Sequence, residues 1–330
     1  MKDFFNITEV LGQDKAKTML RRAVGGGRLA HAYLFRGPAG VGKKTLARAF
    51  GNYLNCLAPT PAEDACGLCP SCRKLRGNNH PDRLVIAPDG VAIKIGQIRE
   101  LKRSLSFPPF EAKLRTVLLC DVHTMRREAA NSLLKLLEEP PPGNLLILTG
   151  DGASEILPTI TSRCQQVPFT TLPLAQVTGT LTAEGLAPET AATLAALADG
   201  SLGRARSLVA SPLLELRRQI LTTLLELRPG QPQAAEAVLA LADSAIDCGD
   251  SLNELLGLLH LCFRDIYLIH REQSQRVVNL DLREALARGK DRWPLPELSR
   301  RLPLFEKAGR QLARNCNRAL VCEVLFFGLL

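Results

Sequence analysis

Short apolar runs between polar and glycine-rich stretches mark the first half of the chain, and leucine/alanine periodicity marks the second. HAYLF (31–35), RLVIA (83–87), RTVLLC (115–120) and NLLILTG (144–150) predict buried strands. TLARAFGNYL (45–54), IGQIRELKRSLS (95–106) and REAANSLLKLLEE (127–139) repeat apolar residues at helical spacing. That alternation predicts an α/β domain, a parallel sheet covered by helices. Upstream, Val10, Leu11, Ala16, Met19, Leu20 and Val24 predict a helix over 8–24 with Thr8 as its cap.

Near residue 170 the strand-like runs stop. The rest is helical in pattern, broken at PGQPQ (229–233) and WPLP (293–296). It reads as a small helical unit to about 211 and a longer bundle from Leu213.

Composition narrows the class. With 330 residues, 46% hydrophobic and 23% charged, the chain predicts two or three globular domains. No uninterrupted apolar run approaches the roughly 18 residues of a membrane span, and no apolar h-region opens the sequence, so the expected location is cytoplasmic. The formal charge of +9 favours polyanionic partners without specifying one.

Ten cysteines in a reducing compartment are not a disulfide framework. Four of them, Cys56, Cys66, Cys69 and Cys72, have the spacing C-x9-C-x2-C-x2-C, which predicts a closed tetrahedral site for structural Zn²⁺. A redox C-x-x-C at Cys69 and Cys72 is the rival reading. Cys120, Cys164, Cys248, Cys262, Cys316 and Cys322 are expected to pack as small hydrophobes.

GPAGVGKKTL (37–46) carries the second candidate chemistry. Gly37, Gly40, Gly42 and Lys43 fit G-x-x-x-x-G-K, a loop whose backbone N–H groups cradle phosphate at a helix N-terminus. The next position usually offers Mg²⁺ a hydroxyl, and here it is Lys44, which has no lone pair to give. Thr45 lies about 100° further around the helix. The second metal ligand should be an acid ending a buried strand, and the strand at 115–120 ends in Cys120-Asp121. Either Cys120 takes that place, with a thiol that Mg²⁺ disfavours, or Asp121 does. His123 is expected to be structural, at a strand-to-helix turn.

FFNITEVLGQDKAKTMLRRAV, RLAHAYLFRGPAGVGKKT, ANSLLKLLEEPPPGNLLILTG and ILPTITSRCQQVPF together resemble the clamp-loader branch of the AAA+ ATPases over essentially the whole chain. The resemblance implies an AAA+ P-loop domain (1–170) with a zinc module inserted at 56–72, a helical lid (171–211) and an all-α collar or oligomerisation domain (212–330). Aligned on NSLLKLLEEPP, Cys120 matches the family's first acid and Asp121 the second, so both Mg²⁺ ligands are expected to be missing.

By the same resemblance, Arg163 of Ser162-Arg163-Cys164 reaches in trans to the nucleotide of a neighbouring subunit; Thr149 matches a γ-phosphate sensor or is an ordinary strand-end threonine. Gly203 stands where a second sensor arginine is usual, with Arg204 beside it. The segments NHPDRLVIAPDGVAIKIGQIREL, GKKT and DGSLGRARSL favour the stator-like member of the branch over its motors. The loop is an optional seat for ATP or ADP, without Mg²⁺-dependent hydrolysis.

Implied partners are gamma/tau-type motor subunits, the delta subunit, the sliding clamp and, within the assembly, primer–template DNA. Two other readings stay open: a motor in which Thr45 and Asp121 hold the metal, and a zinc-dependent nucleic-acid binder.

Overall fold

Alternation of inward-facing side chains along each strand builds the first compact unit, which comprises the residues up to Leu172 with Ser201–Gly203. The computed structural model describes residues 5–60, 62, 64–152 and 156–330. Positions 61 and 63 of the expected zinc module, and the first residue of the FFNITEV stretch, lie outside them. In chain order this unit holds α1 (Asp14–Gly25), β1 (Ala32–Arg36), α2 (Lys43–Leu54), α3 (Pro70–Arg76) and β2 (Arg83–Ile86). It continues with α4 (Ile95–Leu105), β3 (Arg115–Leu119), α5 (Arg127–Glu138), β4 (Asn144–Gly150), α6 (Pro158–Thr161) and β5 (Gln165–Pro168).

The five strands are parallel, in the order β2-β3-β4-β1-β5. Leu34, Val117, Leu119, Leu146 and Leu148 face α4, α5 and α6, while Phe35, Leu118, Cys120, Leu145 and Ile147 face α1 and α2. Fully burying one such large apolar side chain is worth about 1.5–3 kcal/mol. The two faces together fix the sheet's register, because a one-residue slip would exchange them.

Two sequence expectations change here. The helix predicted over 8–24 begins only at Asp14, because Gly12 and Gln13 are left-handed at φ 59° and 58°. Thr8 caps nothing; its N–H and Oγ1 each donate to Asp64 Oδ2 at 2.9 Å. Gln13 Nε2 instead ties the loop before α1 to the Val41 and Thr170 carbonyls. The edge strand β5 escaped the pattern, since Val167 is its single buried residue.

The second unit, Pro173–Gly200 with Arg204–Leu330, is helical. It holds α7 (Leu174–Ala183), α8 (Pro188–Leu197), most of α9 (Leu202–Val209), α10 (Leu213–Glu226) and α11 (Pro232–Ile246). After these come α12 (Leu252–His270), α13 (Arg283–Arg292), α14 (Leu295–Ala313) and α15 (Arg318–Leu329), and the two proline-containing stretches divide α10 from α11 and α13 from α14.

Phe263 packs on Trp293 and Phe305 with ring centroids 4.8 and 5.4 Å apart. Arg217, fully buried on α10, donates to Asn279 Oδ1 and Asp281 Oδ2 at 2.5 Å each. Asp265 accepts from the Asn279 backbone and side chain, which closes a buried polar network. Among the described residues no helix is long and apolar enough to cross a membrane.

Candidate functional site

The glycine-rich loop of residues 37–42 lies between the end of β1 and the start of α2. Gly37 is required by crowding: a Cβ there would sit 2.3 Å from the Phe169 carbonyl, because β5 runs on beside β1. Gly40 and Gly42 take positive φ, 71° and 98°, and Gly42 precedes the first helical residue, Lys43. Lys43 is buried. Its Nζ donates to the carbonyls of Gly37 (2.7 Å) and Pro38 and to Asp151 Oδ1 (2.6 Å). All three of its donors are therefore committed within the fold.

Across the gap, Cys120 turns into the apolar layer with Leu118, as strand alternation requires, and burial pushes its thiol pKa up. Asp121 instead faces the loop. Its backbone is left-handed (φ 55°), its N–H donates to Thr149 Oγ1 at 3.1 Å, and its Oδ2 lies 2.6 Å from Lys44 Nζ. Thr149 is fully buried at the end of β4, so its hydroxyl positions Asp121 in this conformation. Thr45 sits half-buried on the first turn of α2. His123 accepts the Asp151 N–H through Nδ1 at 3.2 Å, a structural bond at the turn after β3.

Asp121, His123 and Asp151 bring ligand atoms within 4.8 Å of one another, a set with metal-binding chemistry. Each carboxylate already has an ammonium at 2.6 Å, from Lys44 and Lys43. A divalent ion would have to displace both, so the residues present do not fit Mg²⁺.

Ser201 and Gly203 bear on the same loop. Ser201 Oγ donates to the Ala39 carbonyl at 2.8 Å, and the Gly203 N–H donates to the Gly40 carbonyl at 2.9 Å. A side chain at 203 is sterically excluded, because its Cβ would lie 2.7 Å from Gly40 Cα. Arg204 pairs with Glu254 at 3.2 Å in the helical unit.

Arg163, just past α6, is partly exposed. Its guanidinium reaches Glu138 Oε1 at 2.6 Å and the Thr159 carbonyl at 3.0 Å.

Cys56, Cys66, Cys69 and Cys72 converge, with all four sulfurs within 4.8 Å of one another and Cys66 and Cys72 at 4.0 Å. A tetrahedral Zn²⁺ with bonds of about 2.3 Å would space them by about 3.8 Å, so this set fits zinc. Backbone N–H groups of Leu68 and Cys69 point at the Cys66 sulfur and hold its pKa down to about 6. Cys56 and Cys72 are buried, and burial pushes their thiols up.

Asp64 fastens the module to the chain's start by accepting the Ile7 and Thr8 N–H groups at 2.9 Å. Of the remaining cysteines, Cys120, Cys164, Cys262 and Cys322 are buried as expected. Cys316 is exposed, because it falls in the turn between α14 and α15 after the left-handed Asn315, and Cys248 is only partly covered.

Sequence reasoning missed Asp151, Glu138 and Ser201. Asp151 was within reach, as an acid two residues beyond the strand-end threonine. Glu138 and Ser201 gave no signal, because their partners are distant in sequence or on backbone carbonyls.

The parallel five-stranded sheet, with its glycine-rich loop between β1 and α2, defines an α/β fold of the P-loop kind. A family model described as DNA polymerase III, delta subunit, matches residues 12–173. It is 33% identical over 183 residues to the DNA polymerase III subunit delta' of Bacillus subtilis, covering 56% of this chain and 55% of that protein. Against the delta' subunit of Pseudomonas aeruginosa it is 43% identical over 148 residues, covering 43% and 44%. The chain thus spans about half the length of these curated relatives. A gamma subunit-related protein of DNA polymerase III from Thermotoga maritima shares the fold with a TM-score of 0.50 at 19% identity, covering 96% of this chain and 98% of that one.

Proposed function

We propose that this chain is a delta-prime-like stator subunit of a DNA polymerase III clamp loader, helping to place a sliding clamp on primed DNA. The observation that carries the reading is the pairing of both loop-side carboxylates with lysines, Asp121 with Lys44 and Asp151 with Lys43. A motor needs a hydroxyl directly after the loop lysine and an unpaired carboxylate for Mg²⁺; here that position is Lys44, and both carboxylates are paired. ATP or ADP would lie on the backbone donors of residues 37–43, with Lys43 released from Asp151 toward phosphate.

Arg163 would act on a neighbouring subunit's nucleotide. Glu138 holds the guanidinium at the surface in the isolated chain, and a phosphate carrying more charge than a carboxylate would draw it away. Stabilising phosphoryl charge in this way is worth about 10³–10⁵ in rate. The four cysteines would hold Zn²⁺ as a cross-link for a loop with little core of its own.

Residues 171–211 would serve as lid and 212–330 as collar. Supporting the collar, α15 exposes Leu320, Val324 and Phe327 at i, i+4 and i+7, an apolar stripe of the sort buried on oligomerisation. The partners would be gamma/tau-type motors, the delta subunit, the clamp and primer–template DNA, in the cytoplasm.

The test is a loader reconstituted with the Arg163→Ala chain, which should assemble normally and hydrolyse ATP more slowly. Unchanged turnover would remove the role in trans. A second reading, a gamma/tau-like motor using Thr45 and Asp121, draws support from Asp121 rather than Cys120 facing the loop. It requires Lys44 to swing away.

A further inference from the structure

Resting on the reading that the loop seats a nucleotide, we propose that the Lys44 ammonium is a resident counter-cation standing where a motor would hold Mg²⁺, so that nucleotide binds without a divalent ion. The place is defined by its neighbours. Lys44 occupies the first turn of α2, directly after the loop lysine, and reaches across to the carboxylate beyond β3 at 2.6 Å. In a metal-using loop, a hydroxyl from that turn and an acid from that strand end grip the ion from the same two sides. Here one side chain supplies the positive charge and Asp121 anchors it.

Three further features support this assignment. Without nucleotide, Lys43 has its three donors on Gly37, Pro38 and Asp151 and must give one up to meet phosphate, whereas Lys44 has spent one on Asp121 and keeps two for an incoming phosphate oxygen. Lys44 is 51% exposed, open to a ligand, whereas Lys43 is 5% exposed. Asp121 is held in its left-handed conformation by Thr149, so the anchor does not wander. An ammonium neutralises phosphate charge but cannot bridge two phosphates in octahedral geometry or present an ordered water, so binding would persist and hydrolysis would not.

The experiment is a titration of the full chain with mant-ADP in excess Mg²⁺ and again in EDTA, repeated with Lys44→Thr and Lys44→Met. The native chain should bind equally in both buffers, within about twofold. Both variants should bind about tenfold or more weakly in EDTA, the loss expected for one charge-assisted hydrogen bond. Magnesium should restore Lys44→Thr more than Lys44→Met, because only threonine offers a hydroxyl.

Native binding that collapses in EDTA would overturn the counter-cation and leave the nucleotide seat standing. Native binding in neither buffer would overturn the seat itself and the inference with it. Unfolding of either variant, read by circular dichroism, would contradict the half-exposed, ligand-facing placement of Lys44.

Discussion

Gly203 lies against Gly40, its N–H donating to the Gly40 carbonyl at 2.9 Å, with no room for a β-carbon between them. The glycine is thus a steric requirement of the closed loop. Placing an arginine there would force the loop and the 201–203 segment apart, whatever chemistry the arginine could offer. Gly203→Ala should lower stability by about 1–3 kcal/mol, the usual range for overpacking. Gly203→Arg should cost at least as much and leave residues 37–42 less protected in hydrogen exchange. A Gly203→Arg chain with native melting and exchange would contradict the contact.

Asp82 and Arg115 form a buried ion pair in the first unit. The carboxylate also accepts the N–H groups of Phe110, Glu111 and Ala112 at 2.7–2.8 Å, and these bonds hold its pKa below the usual range despite burial. Arg115 donates in turn to the carbonyls of Ser104, Phe107 and Pro108. Asp82→Ala would strand the guanidinium, so a loss of about 3–5 kcal/mol in urea unfolding is expected.

Acid should destabilise the helical unit through His260. Burial lowers its pKa, with Glu306 opposing and Arg264 assisting, and its ring packs on Phe305. The unfolded chain accepts that proton near pH 6.5, whereas the folded chain refuses it until lower pH. Its contribution is therefore whole above about pH 6.5 and shrinks as pH falls below that value. The urea midpoint should be lower at pH 5.5 than at pH 7.5, and His260→Phe should flatten the difference.

Removing zinc should loosen one region and spare the sheet. Metal analysis of freshly purified protein should give one zinc per chain, and chelation should raise hydrogen exchange in 56–76 while leaving 115–119 and 144–150 protected. Cys72→Ser should mimic the chelated state, because Cys72 is fully buried in the cluster with Leu75. Less than one zinc per chain would exclude the closed site.

Much of the first unit was legible in the sequence because its signals are local. Runs such as RTVLLC and NLLILTG are buried on both faces, and the loop glycines announce themselves by spacing. The start of α1 was not, since nothing in Gly12-Gln13 says that both residues turn left-handed to meet Val41 and Thr170. The decisive feature of the site was also hidden: Lys44 and Asp121 are 77 residues apart, and only the fold brings them together. Residue identity gave an unusual lysine and an ambiguous acid, and the pairing supplied the physical meaning of both.

With Lys44 and Asp121 paired, the loop is expected not to drive metal-assisted hydrolysis. The most direct measurement is steady-state ATP turnover by the purified chain in Mg²⁺, beside Lys43→Ala as background. The two chains should show the same rate; turnover by the native chain that requires Mg²⁺ and disappears in Lys43→Ala would contradict the pairing's proposed role.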